Sequence, residues 1–422
     1  MRQLPERPSL ENLRNQARSL QKQHRAGDAE ARLRVHGILR DAEEPLKLHD
    51  AQFVLAREHG FASWPKLVEH VTGLLGRARV RRQDGRVWID GVPRLRWGAS
   101  PEPTYIGALE AAFRGSERPL DVTTLLGDSG LGFRLRWATR DGGNAWCGSG
   151  PCGEWPEEVE ALNQATGYVY RWDPPAAGLP NSPEHLALIV ESIERGWPIL
   201  GFAAQMDMAV IYGYEDAGKR VLVSDLWASE EPALMATSDA KSVRFFLERI
   251  DEPLARVDAV RAGLRLALRR WRQGVVATDP ITGGTYHYGD AGYRQWLADL
   301  ERVPTLSDAQ RQNLFFLNGW TYSSLFQTRT QHAARYLREA LRHAPAAAHE
   351  GLAAAAARYD LVRERLGGWD PANPMFGFVK QKKVDTWTPE VISSERALLA
   401  DVHEHESHAF AALERALAAF EA

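Results

Sequence analysis

Cysteine is scarce in this chain: 422 residues hold only Cys147 and Cys152. Two thiols exclude a disulfide-stapled scaffold and fit a reducing compartment. With no second pair and no nearby histidine, they do not form a zinc pattern. Long apolar runs are also missing, none approaching the ~18 residues of a transmembrane helix. The opening residues, Met1-Arg2-Gln3-Leu4-Pro5-Glu6-Arg7-Pro8, lack the apolar segment of a secretory signal. A cytoplasmic protein away from membranes is expected. No period of roughly 20–50 residues recurs, so a solenoid is not expected. The formal net charge of −3 exerts no global pull toward nucleic acid. No metal and no cofactor are expected.

The composition, 44 % hydrophobic and 25 % charged, is that of a globular protein. The length is too great for one ordinary core, so two or three domains are expected. Residues 1–76 read as a helical module. Ser9 is a good N-cap, and Leu10, Leu13, Ala17 and Leu20 follow at helical spacing. Further helices are expected at 31–39, 51–59 and 63–75. Residues 1–82 carry a formal charge of about +6, read as a solvated basic face or as phosphate contacts. Residues 77–252 mix short helices (104–113, 121–126, 156–166, 182–195) with strands (133–137, 168–172, 199–203). From 253 to 422 the periodicity is helical almost throughout. There Arg265, Arg269, Arg270 and Arg272 read as the solvated side of a long helix.

The core centres on 201–227, GFAAQMDMAVIYGYEDAGKRVLVSDLW. Its apolar runs, 208–214 and 221–226, flank a glycine-containing connection and read as a β-hairpin. Asp207 precedes the first strand and Asp225 ends the second. Carboxylates beside apolar runs need partners or a wet cleft, because burying an unpaired charge is costly.

An apolar strand, Gly213-Tyr214-Glu215-Asp216 and a second strand ending Val223-Ser224-Asp225 resemble the second half of papain-like and C39-peptidase-like folds. Two upstream stretches extend the resemblance. The run from Thr104 to Phe113, TYIGALEAAF, resembles a nucleophile-bearing helix, and that from Leu125 to Arg134, LLGDSGLGFR, a glycine-rich turn with its strand. Over residues 95–420 the chain thus resembles the butirosin biosynthesis protein H family of acyltransferases. The resemblance implies an α+β fold: a papain-like (C39-like) core with an antiparallel sheet, flanked by the N-terminal helical module and a C-terminal all-α domain. It also implies a Cys at the helix N-terminus and a His on the first hairpin strand, oriented by Asn or Asp on the second. Here the helix begins Pro103-Thr104, the His place falls on Asp207, and only Asp225 matches the orienting residue. A Thr hydroxyl needs an adjacent general base to react, so the thiol reaction is expected to be absent.

The expected function is therefore recognition of a small molecule or peptide by a degenerate relative of these enzymes. Asp207 and Asp225 would sit at the former catalytic positions, with Thr104, Tyr105, Gln205 and Tyr212 as ligand-binding residues. A second reading is an active acyltransferase or amide hydrolase with a relocated thiol. The loop Trp146-Cys147-Gly148-Ser149-Gly150-Pro151-Cys152-Gly153-Glu154 holds both candidate nucleophiles, Cys147 and Cys152, with Trp146 and Glu154 as ligand contacts. A tight turn with an inert thiol is the plainer account of that loop. A third reading is a DNA-binding regulator acting through residues 1–76; a protein partner for these helices is the plainer alternative. In the last helix, His403-Glu404-His405-Glu406-Ser407-His408 invites a metal, since Glu404/His408 and Asp401/His405 pair at i,i+4. It reads more simply as a solvated face.

Overall fold

The computed structural model describes residues 2–5, 8–40, 44–96, 100–101, 103–139, 156–172, 182–202, 207–226, 233–239, 244–276, 284–367 and 384–421. It is an α+β protein built around an antiparallel sheet.

Four helices open the chain: α1 (Leu10–Arg25), α2 (Ala29–His36), α3 (Leu48–Glu58) and α4 (Trp64–Ala78). The Ser9 hydroxyl caps α1, accepting from the Asn12 N–H at 3.3 Å. A hairpin follows, β1 (Val80–Gln83) and β2 (Arg86–Ile89), and then α5 (Thr104–Phe113), α6 (Val122–Asp128), β3 (Arg136–Thr139), α7 (Pro156–Thr166), β4 (Tyr168–Trp172) and α8 (Pro183–Glu194). The next strands are β5 (Ile199–Phe202), β6 (Met208–Glu215), β7 (Arg220–Ser224), β8 (Ala233–Ala236) and β9 (Arg244–Ile250).

The large sheet runs β1-β2-β6-β5-β9-β4, with β7 pairing β6 and β8 extending from β7. Strand β6 is its hub, bonded to β2, β5 and β7. Its side chains alternate between two apolar clusters, as a strand buried on both faces requires. Met208 and Val210 face α5, while Ala209 and Ile211 join Ile189 and Ile193 of α8. The cluster around α5 also takes in Leu10, Leu13, Trp64, Leu67 and Val71, so the N-terminal helices complete one layer of the sheet core.

The remaining elements are α9 (Arg256–Arg272), β10 (Val275–Val276), β11 (Thr285–Tyr288), α10 (Gly289–Arg302), α11 (Asp308–Gln327), α12 (Ala334–Ala340), α13 (His349–Leu366) and α14 (Pro389–Glu421). A π-helical turn, Thr328–Ala333, joins α11 to α12. Strands β8 to β11 were not expected from the sequence. Strand β3 begins three residues later than expected, because Leu131–Phe133 form a 3-10 turn. It pairs with β11 in a separate small sheet, β10-β11-β3. Arg270, expected on the solvated side of α9, is buried and holds Glu158 in a fork at 2.8 and 2.9 Å. A planar guanidinium suits this bidentate contact.

The C-terminal helices bury a polar chain built on tryptophan. Trp137 donates to Asp299 at 2.8 Å and stacks on Trp296, whose Nε1 donates to Asn318 at 2.6 Å. Asn318 and Trp387 then donate to Glu395 at 2.6 and 2.8 Å. Burial pushes the Glu395 carboxyl up to about 7, although hydrogen bonds from Trp387, Asn318 and Tyr322 oppose it. Burial also pushes His332, whose Nδ1 lies 2.9 Å from the Thr123 hydroxyl, down to about 4.

These two groups act on stability in opposite directions. Glu395 holds its proton more tightly folded than unfolded, so its contribution is full below pH ~4.5 and lost as pH rises through about 7. His332 stabilises above pH ~6.5, and that contribution is lost as pH falls toward about 4. Glu395→Gln should therefore gain on wild type as pH rises from 4.5 to 7.5, by on the order of 3 kcal/mol. Urea unfolding across that range measures the difference, and a pH-independent difference would contradict the assignment.

Gly196 supplies a second test. It turns the chain from α8 into β5 at φ 74°, and a Cβ there would overlap the Gly76 carbonyl of α4. Gly196→Ala should lower stability by at least ~1–3 kcal/mol and speed hydrogen exchange in α4. An unchanged unfolding midpoint would refute this close approach.

Candidate functional site

Helix α5 has all ten residues buried, so it is enclosed on every side. Pro103 precedes it with extended geometry, fitting a residue that cannot donate from its backbone. At that end the Thr104 hydroxyl accepts the Met208 N–H at 3.0 Å, pinning the helix to the first residue of β6. Asp207 is therefore one residue from the contact, and it is 9 % exposed.

Asp225 follows the last residue of β7 and is 7 % exposed. Val210 pairs with Ser224, so one further step of the ladder sets Asp225 opposite Ala209, two residues from Asp207. Ser224 fixes this strand end by accepting from the Leu95 N–H and donating to the Pro93 carbonyl, both at 2.8 Å. The fold thus ties Thr104 of α5 to the strand end that follows Asp207, with Asp225 just past the neighbouring end of β7. A hydroxyl and two carboxylates offer hydrogen-bond acceptors and cation partners.

The other expected ligand contacts are placed differently. Tyr105 is 1 % exposed, and its ring meets Phe245 edge-on at 5.8 Å, so it packs in the core. Tyr212 lines a separate cavity of about 300 Å³ beside Trp88 and Leu222. Trp146, Cys147, Cys152, Glu154 and Gln205 lie outside the described residues.

The histidine-rich stretch of α14 carries a structural role that neither of its expected uses anticipated. Glu404 and His408 are exposed, and His405 lies 3.6 Å from Asp401. Glu406 is fully buried and paired with Arg329 at 2.5 Å. Among the described residues, no three metal-ligating side chains lie together. Nor is any helix among them long and apolar enough to cross a membrane.

Comparison of the chain with models of protein families finds no match, and comparison with curated proteins finds none.

The Thr104 bond makes a direct prediction. Thr104→Val keeps the shape but leaves the buried Met208 N–H without its acceptor, which should cost ~1–3 kcal/mol. Thr104→Ser should recover most of that loss in urea unfolding. A Val variant as stable as wild type would show that this contact does not hold α5 to β6.

Proposed function

We propose that this protein is a degenerate relative of the butirosin-type acyltransferases with a papain-like (C39-like) core, and that the former active-site cleft binds a small molecule or peptide. One observation carries the reading: the helix N-terminus and the first hairpin strand, which in the resembled family bear the nucleophile and its base, meet through the bond from Met208 to Thr104. Those places hold a hydroxyl and a carboxylate.

Chemically, the exchange removes covalent catalysis and leaves recognition. Thr104 has no histidine at the base place to take its proton, and an aspartate carboxylate is a weak base for a hydroxyl near neutral pH. Two carboxylates at the cleft instead favour a ligand that donates hydrogen bonds or carries positive charge. A primary amine, free or at a peptide N-terminus, supplies both.

The experiment titrates glycyl dipeptides and simple diamines against the protein by saturation-transfer NMR, in wild type and Asp207→Asn. A charged hydrogen bond is worth about 1.5–3 kcal/mol, so the variant should bind ten- to a hundredfold more weakly. Equal binding to both proteins would remove Asp207 from the site. Turnover of an amide or thioester that survives replacement of both cysteines by alanine would overturn the recognition reading.

A further inference from the structure

The joint between α4 and the turn from α8 into β5 holds an open pocket of about 320 Å³. None of its lining residues belongs to α5, β6 or β7, so it is separate from the contact between Thr104 and Met208. Its floor is aromatic and fixed. Trp197 is 3 % exposed, and its backbone is tied to the end of α8 by bonds to and from Ser192 at 2.8 and 2.9 Å. The Arg195 guanidinium stacks on that indole, its carbon 3.4 Å from the ring centroid. On the α4 side Phe61 packs against His70, with ring centroids 5.0 Å apart.

The polar groups of this cavity are unbalanced in one direction. Lys66, Arg77 and Arg195 line it with a single carboxylate, Glu69, which Lys66 engages at 2.8 Å. Arg195 reaches only to the exposed Glu191, at 3.4 Å. Arg77 has no ion-pair partner among the described residues. The Trp197 Nε1–H is buried and has no acceptor among the described residues. An indole nitrogen can only donate, and a buried donor without a partner costs ~1–3 kcal/mol. The unmet demand is thus for an acceptor with negative charge, beside aromatic surface that would cover an apolar body.

We propose that this joint binds a small aromatic anion, its carboxylate or phosphate meeting Arg77 and Trp197 and its ring lying against the aromatic wall. The Gly76–Gly196 approach holds the two walls together, so an occupant would brace the N-terminal helices against the sheet.

The test is calorimetric titration of the full chain with phenyl phosphate, benzoate, inorganic phosphate and phenol. Phenyl phosphate and benzoate should both saturate; inorganic phosphate should bind at least tenfold more weakly, and phenol should not saturate. Affinity should fall as salt rises, because the cations are near the surface. Arg77→Glu, at an exposed position, should weaken the aromatic anions at least tenfold. Trp197→Phe keeps a ring and removes only the donor, and should weaken them severalfold. No saturable binding of either aromatic anion to wild type would overturn the site. Binding unchanged in Arg77→Glu, or equal for phenol and phenyl phosphate, would do the same.

Discussion

Arg329 and Glu406 form an ion pair with essentially no exposure, and much of the molecule is arranged around it. The guanidinium also donates to the carbonyls of Gly132 and Phe133 at 3.0 and 2.9 Å. Burial opposes its charge, but Glu406 outweighs burial and holds the Arg329 pKa above its ordinary range. A buried pair gains little over a hydrophobic substitute, yet losing one partner costs ~3–5 kcal/mol. Its importance here is positional. It fixes the turn before β3 to α14, and β3 carries Trp137 into the tryptophan chain that ends at Glu395.

The same turn connects to the candidate site. Gly127 packs under the Tyr336 ring so closely that a Cβ would overlap it. Tyr336 donates to Asp128 at 2.9 Å, and Arg256 pairs with the same carboxylate at 2.5 Å. Burial raises the Asp128 pKa, while Arg256 and Tyr336 pull against that rise. Helix α6 bears both Gly127 and Asp128 and packs on α5. The buried polar groups of the C-terminal helices thus back the helix whose first residue, Thr104, binds Met208 at the start of β6.

Local signals made much of this legible. Ser9 and Ser182 mark helix starts that the structure keeps, and 104–113, 156–166 and 168–172 match the observed elements. Strand β9 was missed because its burial does not alternate, and β10 and β11 because they are short and sit in a helical context. Distant partners were beyond any periodicity. Arg270 finds Glu158 across 112 residues, and Arg329 finds Glu406 across 77. Without those partners an arginine run and a histidine-rich helix read as solvated faces. In the candidate site, Asp207 and Asp225 stood out as charges beside apolar strands. That Thr104 binds the backbone of Met208, next to Asp207, depends on how α5 crosses the sheet, which spacing along the chain does not encode.

The proposed function requires that neither thiol of this chain act as a nucleophile. Intact-mass spectrometry of the wild-type protein tests it directly, after incubation with a simple acyl thioester and then a short iodoacetamide pulse at neutral pH. The account predicts two slowly alkylated thiols of similar reactivity and no retained acyl group. Rapid alkylation of one thiol, or an acyl adduct on Cys147 or Cys152, would contradict it.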